Sequence, residues 1–226
     1  MSLSSVRSHI ISCARCPRLR TYCQRIAREK KAAHRDDVYW GKPVPGFGDP
    51  KARLLILGLA PAAHGANRTG RVFTGDGSGD FLMSALHRTG FASIPTSRSA
   101  DDGLRLRDAY IAAAVRCAPP GNKPLPSELA ACEPHLVAEF RALPRIAVVV
   151  ALGRIAFDAY WRIVARLGGR VPKPKPVFGH GERYAPNGAP IVIASYHPSR
   201  QNTNTGRLTA RMLESVFAQA GRELNH

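Results

Sequence analysis

Four short, nearly unbroken apolar runs constrain this chain most: residues 54–59, 110–115, 146–152 and 191–195. None alternates apolar with polar residues, so each has to be covered on both faces, as strands of a parallel sheet are when helices lie above and below. Helix-length stretches separate them, at 79–88, 127–143, 155–167 and 206–220, the second opening on Ser127 as a cap followed by Glu128. The pattern predicts an α/β fold. With 226 residues, 44% of them hydrophobic, one core can close, and residues 1–226 read as a single domain. Residues 42–50 form a Gly/Pro-rich approach to the first strand and residues 171–176 an extended basic loop; neither reads as an interdomain linker.

Each strand runs into an unusual segment: Gly58-Leu59-Ala60-Pro61, Arg116-Cys117-Ala118-Pro119-Pro120, Gly153-Arg154 and Tyr196-His197-Pro198-Ser199. Sites in open parallel sheets gather at the carboxyl ends of the strands, so these four segments are expected to meet in one cleft.

Lys and Arg outnumber Asp and Glu by 33 to 16, a formal charge of +17. Such a surplus favours a polyanionic partner, nucleic acid before an anionic membrane, since no basic amphipathic helix or lipidation motif supports the latter. The helix expected around Cys23 carries Arg25, Arg28, Lys30 and Lys31, which read as a solvated basic face or as phosphate contacts. The first residues lack the apolar core of a signal peptide, and the longest apolar run, 146–152, is far too short to span a bilayer. A cytoplasmic location is expected.

Five cysteines are an odd number, and a reducing compartment disfavours disulfides. Cys13 and Cys16 form a CxxC pair, Cys117 follows the second strand, Cys132 lies in the next helix and Cys23 is the odd one out. Four thiolates meeting in space suit tetrahedral zinc or a cubane [4Fe–4S] cluster, and their spacing does not choose between the two.

The first strand opens into a long glycine-rich loop, residues 58–71 (GLAPAAHGANRTGR), followed by 74–82 (TGDGSGDFL). Gly70 to Gly75 is followed by Asp76 where a phosphate-binding P-loop requires Lys, which argues against nucleoside triphosphates. After the last strand stands His197-Pro198-Ser199-Arg200-Gln201-Asn202, a polar loop able to enter a DNA groove. Together the two loops resemble the uracil-DNA glycosylase superfamily, with its Gly-x-x-Pro first loop and His-Pro-Ser last loop. The long first loop is similar to that of family 5, the type b enzymes. The resemblance extends from Cys13 to the helix after Gly206. It implies a three-layer α/β/α sandwich on a mainly parallel four-stranded sheet, and a [4Fe–4S] cluster held by Cys13, Cys16, Cys117 and Cys132 in a structural role.

The implied activity is monofunctional hydrolysis of the N-glycosidic bond of uracil and other deaminated bases in DNA, leaving an abasic site. Such an enzyme flips the nucleotide into a pocket and stabilises a cationic sugar, a departing base anion and an attacking water. Phe73 would stack on the flipped base, and His197 would donate a hydrogen bond to the base anion, which a neutral imidazole can do. Asp76 would orient or deprotonate water, with Asp80 as competitor or helix cap. Asn122, otherwise a turn residue, could assist through hydrogen bonds. Gly58 and Ala60 would let the backbone approach the base, while Ser199, Arg200, Gln201 and Asn202 would brace the vacated stack or cap the final helix.

Type a relatives carry a Glu where this chain has Leu59, and an Asn where it has Ala113 or Ala114. Without that amide, the pocket should discriminate less sharply among bases. The alternatives from other classes are a lesion- or abasic-site-binding protein without efficient turnover, and a zinc-stabilised RNA-binding module. The expected partner is DNA, bound by a monomer.

Overall fold

The computed structural model describes residues 1–225. Two helices, α1 (Leu3–Ile11) and α2 (Pro17–Glu29), precede a short edge strand, β1 (Phe47–Gly48). Then follow β2 (Leu54–Gly58), α3 (Ala66–Thr69), α4 (Gly77–Arg88), β3 (Ala109–Ala113), α5 (Pro126–Ala142), β4 (Val148–Leu152) and α6 (Arg154–Arg166). The chain ends with β5 (Arg183–Tyr184), β6 (Ile191–Ser195), α7 (Arg200–Asn204) and α8 (Ala210–Leu224). None of the helices among the described residues is long and apolar enough to cross a membrane.

The sheet order is β1-β3-β2-β4-β6-β5. The four predicted strands form its parallel centre, β3-β2-β4-β6, and the two edge strands run antiparallel to it. The expected four-stranded sheet is therefore corrected to six. Phe47–Gly48 and Arg183–Tyr184 span two residues each, too short to print any periodicity on a sequence.

Both faces of the central strands are buried, and successive residues divide between them. Leu54, Ile56, Ile111, Val148, Val150 and Ile193 pack with Leu82 and Leu86 of α4 and Val216 and Phe217 of α8. Leu55, Leu57, Tyr110, Val149, Ala151 and Val192 pack on the other side with Phe140 of α5 and Phe157, Tyr160 and Val164 of α6. This is the expected α/β/α sandwich.

All four expected helix starts shift: α4 begins at Gly77 rather than residue 79 and α6 at Arg154 rather than 155, and the other two shift with their caps. The helix predicted from Ser127 begins at Pro126, whose missing N–H is harmless at a first helical position. Leu125 is its cap residue, and the Glu128 carboxylate accepts the Leu125 N–H at 2.8 Å. The last helix starts not at Gly206 but at Ala210, where the Thr209 hydroxyl accepts the Met212 N–H at 3.3 Å. The polar loop before it winds into the separate turn α7.

One polar cluster ties these layers together. Arg116, only 1% exposed, forms a buried ion pair with Glu139 of α5. The same carboxylate accepts the Gly46 N–H at 3.0 Å and the Tyr110 hydroxyl of β3 at 3.3 Å. A buried guanidinium stripped of its carboxylate has neither water nor counter-charge. Glu139→Ala is expected to lower the unfolding free energy by about 3–5 kcal/mol in urea titrations, and a loss below 1 kcal/mol would contradict this role.

Candidate active site

In the parallel centre, the chain passes from β2 to β3 on one side and then crosses back to β4 on the other. The crevice between the ends of β2 and β4 is the topological switch point, where ligands bind in open α/β sheets. A cavity of about 350 Å³ opens there, large enough for a nucleobase with part of its sugar.

The first loop builds one wall. Gly58 ends β2 with the Phe73 ring directly over it; a Cβ on Gly58 would stand 2.7 Å from that ring. Phe73 takes φ 49°, a left-handed backbone that a bulky residue adopts only where its surroundings enforce it. Its ring lies 5.7 Å from the His197 ring, tilted by 31°, so both aromatics border the same space. Gly65 makes similar room for the Asp76 carboxylate, which would lie 2.1 Å from a Cβ at that position.

Asp76 caps α4, accepting the Gly79 N–H at 3.0 Å through Oδ1, and it also lines the cavity. Burial pushes its pKa up, and the backbone N–H groups of Gly79 and Ser78 pull it partly back. Asp80 is exposed, accepts the Ser97 N–H at 3.1 Å and is not among the cavity residues. The capping role expected of Asp80 thus belongs to Asp76, because the helix begins at Gly77, one residue after it.

His197 follows β6 into the cavity, and burial pushes its pKa down to about 4, so the imidazole is neutral at physiological pH. Its loop is braced from behind. The Asn202 side-chain amide donates to the His197 carbonyl at 2.8 Å, and the Ser199 hydroxyl caps α7 by accepting the Asn202 N–H at 3.4 Å. Ser199 and Gln201 line the cavity, as does Ala60. Arg200 is exposed and borders a second cavity.

Asn122 stands at the rim with φ 57°, in a 3-10 turn spanning Pro120–Asn122, and faces both cavities. Leu59 and Ala113 line the first cavity, whereas Ala114 packs into the opposite core. The position left open between Ala113 and Ala114 thereby falls on Ala113. The second cavity, also about 350 Å³, shares Asp76 and Asn122 with the first and adds Lys31, His34, His64 and Arg200. Lys31 and Arg200 bring positive charge to this second cavity, whereas burial and the neighbouring Lys31 push the His64 pKa down.

Two arginines in the first loop do work that sequence reasoning missed. Arg68 donates to the Gly75 and His64 carbonyls, each at 2.8 Å, and pairs with Asp37 at 2.6 Å. Arg71 is buried, pairs with Asp102 at 2.7 Å and bonds the hydroxyls of Thr74 and Ser97. Their partners lie about thirty residues away in the chain, so no local pattern announces them.

Away from this cleft, Cys13, Cys16, Cys117 and Cys132 line one pocket, walled by Leu19, Pro43 and Val115 and flanked by Arg15, Arg20 and Arg116. All are free thiols. Cys16 follows α1 and sets the start of α2, Cys117 follows β3, and Cys132 on α5 accepts the Arg116 backbone N–H at 3.2 Å. Burial pushes the thiols of Cys16 and Cys132 up, so thiolates there need a cationic partner. Among the described residues no group of three His, Cys, Asp or Glu side chains is arranged to hold a single metal ion. The donor set is all sulfur in a largely apolar pocket, the soft ligand chemistry that an iron–sulfur group requires. Cys23 is buried and donates to the Ala118 carbonyl at 3.6 Å. Of the basic residues near it, Arg25, Arg28 and Lys31 are exposed and Lys30 is half-buried.

Comparison with known proteins bears on this cleft directly. Residues 45–221, which contain both loops, match the model of the uracil DNA glycosylase superfamily. The chain is 51% identical over 213 residues to a type-5 uracil-DNA glycosylase of Thermus thermophilus, covering 94% of each protein. It is 50% identical over 220 residues to one of Mycobacterium bovis, covering 97% of this chain and 81% of that protein. A type-4 uracil-DNA glycosylase of Archaeoglobus fulgidus is 33% identical over 184 residues, 77% of this chain and 80% of that protein. A crevice at the switch point, walled by the glycine-rich and His-Pro-Ser loops and matched along this length, makes the chain a member of the uracil-DNA glycosylase superfamily.

Proposed function

We propose that this protein is a monofunctional DNA glycosylase that hydrolyses the N-glycosidic bond of uracil and of other deaminated bases, leaving an abasic site. The observation that carries the reading is that Phe73, Asp76 and His197 border one base-sized cavity at the switch point. It would act as a monomer in the cytoplasm, on DNA.

Each residue then has one task. The flipped base slides against the Phe73 ring, replacing the stacking lost in the helix. His197, neutral, gives one N–H to the base as negative charge builds on it in the transition state. Asp76, ionised, holds the attacking water and offsets the cationic sugar. Its capped carboxylate keeps one oxygen, Oδ1, on the Gly79 N–H and leaves Oδ2 for that water. Asn122 at the rim supplies a further hydrogen bond. The cavity residues among those described include no lysine that could form an imine with the sugar, in keeping with simple hydrolysis. Leu59 and Ala113 replace the polar groups expected of type a relatives, so little in the wall penalises a purine over uracil. Cys13, Cys16, Cys117 and Cys132 would hold a [4Fe–4S] cluster, which joins the amino-terminal helices to the sheet and takes no part in hydrolysis.

A uracil-containing duplex incubated with the purified protein and then treated with alkali should break at the uracil. Asp76→Asn is expected to slow that excision by roughly 10²–10⁴-fold and His197→Ala by roughly 10²–10³-fold, both with abasic-site affinity retained. Tight abasic-site binding by a wild-type protein that leaves uracil in place would instead identify a lesion binder.

His197, held down to about 4 by burial, should add no inflection to the excision rate near the ordinary histidine value of about 6.5, and the rate should fall on the acid side as Asp76, whose pKa burial raises, takes up a proton. An inflection near neutrality that disappears in His197→Gln would show that a charged imidazole acts.

Duplex affinity should fall steeply with salt, and Lys31→Ala and Arg200→Ala should each reduce the log–log slope by about 1. An unchanged slope in both would remove the second cavity from the DNA-contacting surface.

A further inference from the structure

The ion pair between Arg116 and Glu139 leaves most of the guanidinium unused. Nη2 is the nitrogen that meets the carboxylate, while Nε and Nη1 are buried and have no hydrogen-bond partner. Two stranded donors on a fully buried cation are expensive for a fold to keep. The residue's surroundings point to what they serve. Arg116 immediately precedes Cys117, its backbone N–H donates to the Cys132 sulfur at 3.2 Å, and it lines the pocket that all four cysteines share.

We infer that Arg116 is the resident counter-charge of the cysteine site: Nε–H and Nη1–H donate to sulfur of a bound, anionic cluster while Glu139 holds the guanidinium in register. The inference rests on the proposal that the four cysteines carry an iron–sulfur group. Four thiolates on a cluster leave net negative charge in an apolar pocket, and hydrogen bonds and nearby cations set both how firmly such a group is held and its reduction potential. Arg15 and Arg20 flank the same pocket: Arg15 donates to the Ala131 carbonyl at 3.3 Å, and Arg20 donates to the Gly41 carbonyl at 3.1 Å and also reaches the Cys117 sulfur. Arg116 alone among these three is fully buried. It is a positioning residue, remote from the catalytic cavity, and Glu139 connects it to β3 and to the approach to β1.

The test uses the intact holoprotein and does not depend on its glycosylase activity. Iron content, visible absorbance, the rate of iron loss to a chelator and the reduction potential are measured for the wild type, for Arg116→Lys and for the double variant Arg116→Gln/Glu139→Gln. The double variant removes both charges together, so no buried charge is left unpaired, and circular dichroism reports whether it folds. The expected result is a folded double variant with a lower reduction potential that loses iron roughly tenfold faster or more. Arg116→Lys keeps the partner for Glu139 but cannot present Nε–H and Nη1–H together, and it too should lose iron faster than the wild type. Wild-type potential and iron retention in a folded double variant would overturn the inference. If that variant does not fold, wild-type iron retention in Arg116→Lys overturns it instead. A wild-type protein that carries one zinc and no iron would refute the underlying cluster reading before any variant is compared.

Discussion

Burial of both faces of four parallel strands is the constraint on which everything else here depends. Parallel neighbours cannot be joined by tight turns, so each connection has to leave the sheet, cross it under a helix and return. That forces the loops at the carboxyl ends to one edge. The order β3-β2-β4-β6 then splits them at β2 and β4, and the gap is the cavity. The apolar strands carry no chemistry, yet they decide where the chemistry has to stand.

The same constraint explains which features could be read from sequence. The central strands and the main helices were legible because their burial writes long apolar runs, and the His-Pro-Ser and glycine-rich loops because they follow strand ends. The edge strands were not, since two residues carry no period, and neither was the cap on α5, since Leu125 offers no side-chain oxygen and the work is done by Glu128. In the cleft, Phe73, Asp76 and His197 stand in motifs visible in the sequence, whereas Arg68 and Arg71, which hold the first loop, do not. Arg71 and Asp102 are an ion pair across 31 positions, and only the folded loop reveals how the glycine-rich segment is pinned.

Asn202 and Asp76 illustrate how support and function share residues. Asn202 lies in a loop aimed at the cleft, but its amide turns back to hold the His197 carbonyl. Asp76 caps a helix and faces the cavity, so the backbone N–H groups of the first helical turn set the helix start and the position of the carboxylate together. A helix amino terminus next to that carboxylate also favours its charged form, against the burial that opposes it. The surplus of basic residues sits alongside: the chain's net +17 reaches the site through Lys31 and Arg200 rather than through the cavity wall, which is mostly apolar.

The contact between Gly58 and Phe73 has a consequence for how this cleft could diversify. The ring rests on the main chain of β2, with no side chain between them, so any side chain at position 58 would displace the ring that borders the cavity. Leu59 and Ala113, at two neighbouring strand ends, line the cavity clear of that contact, so the width and polarity of the cleft can change there while the ring keeps its seat.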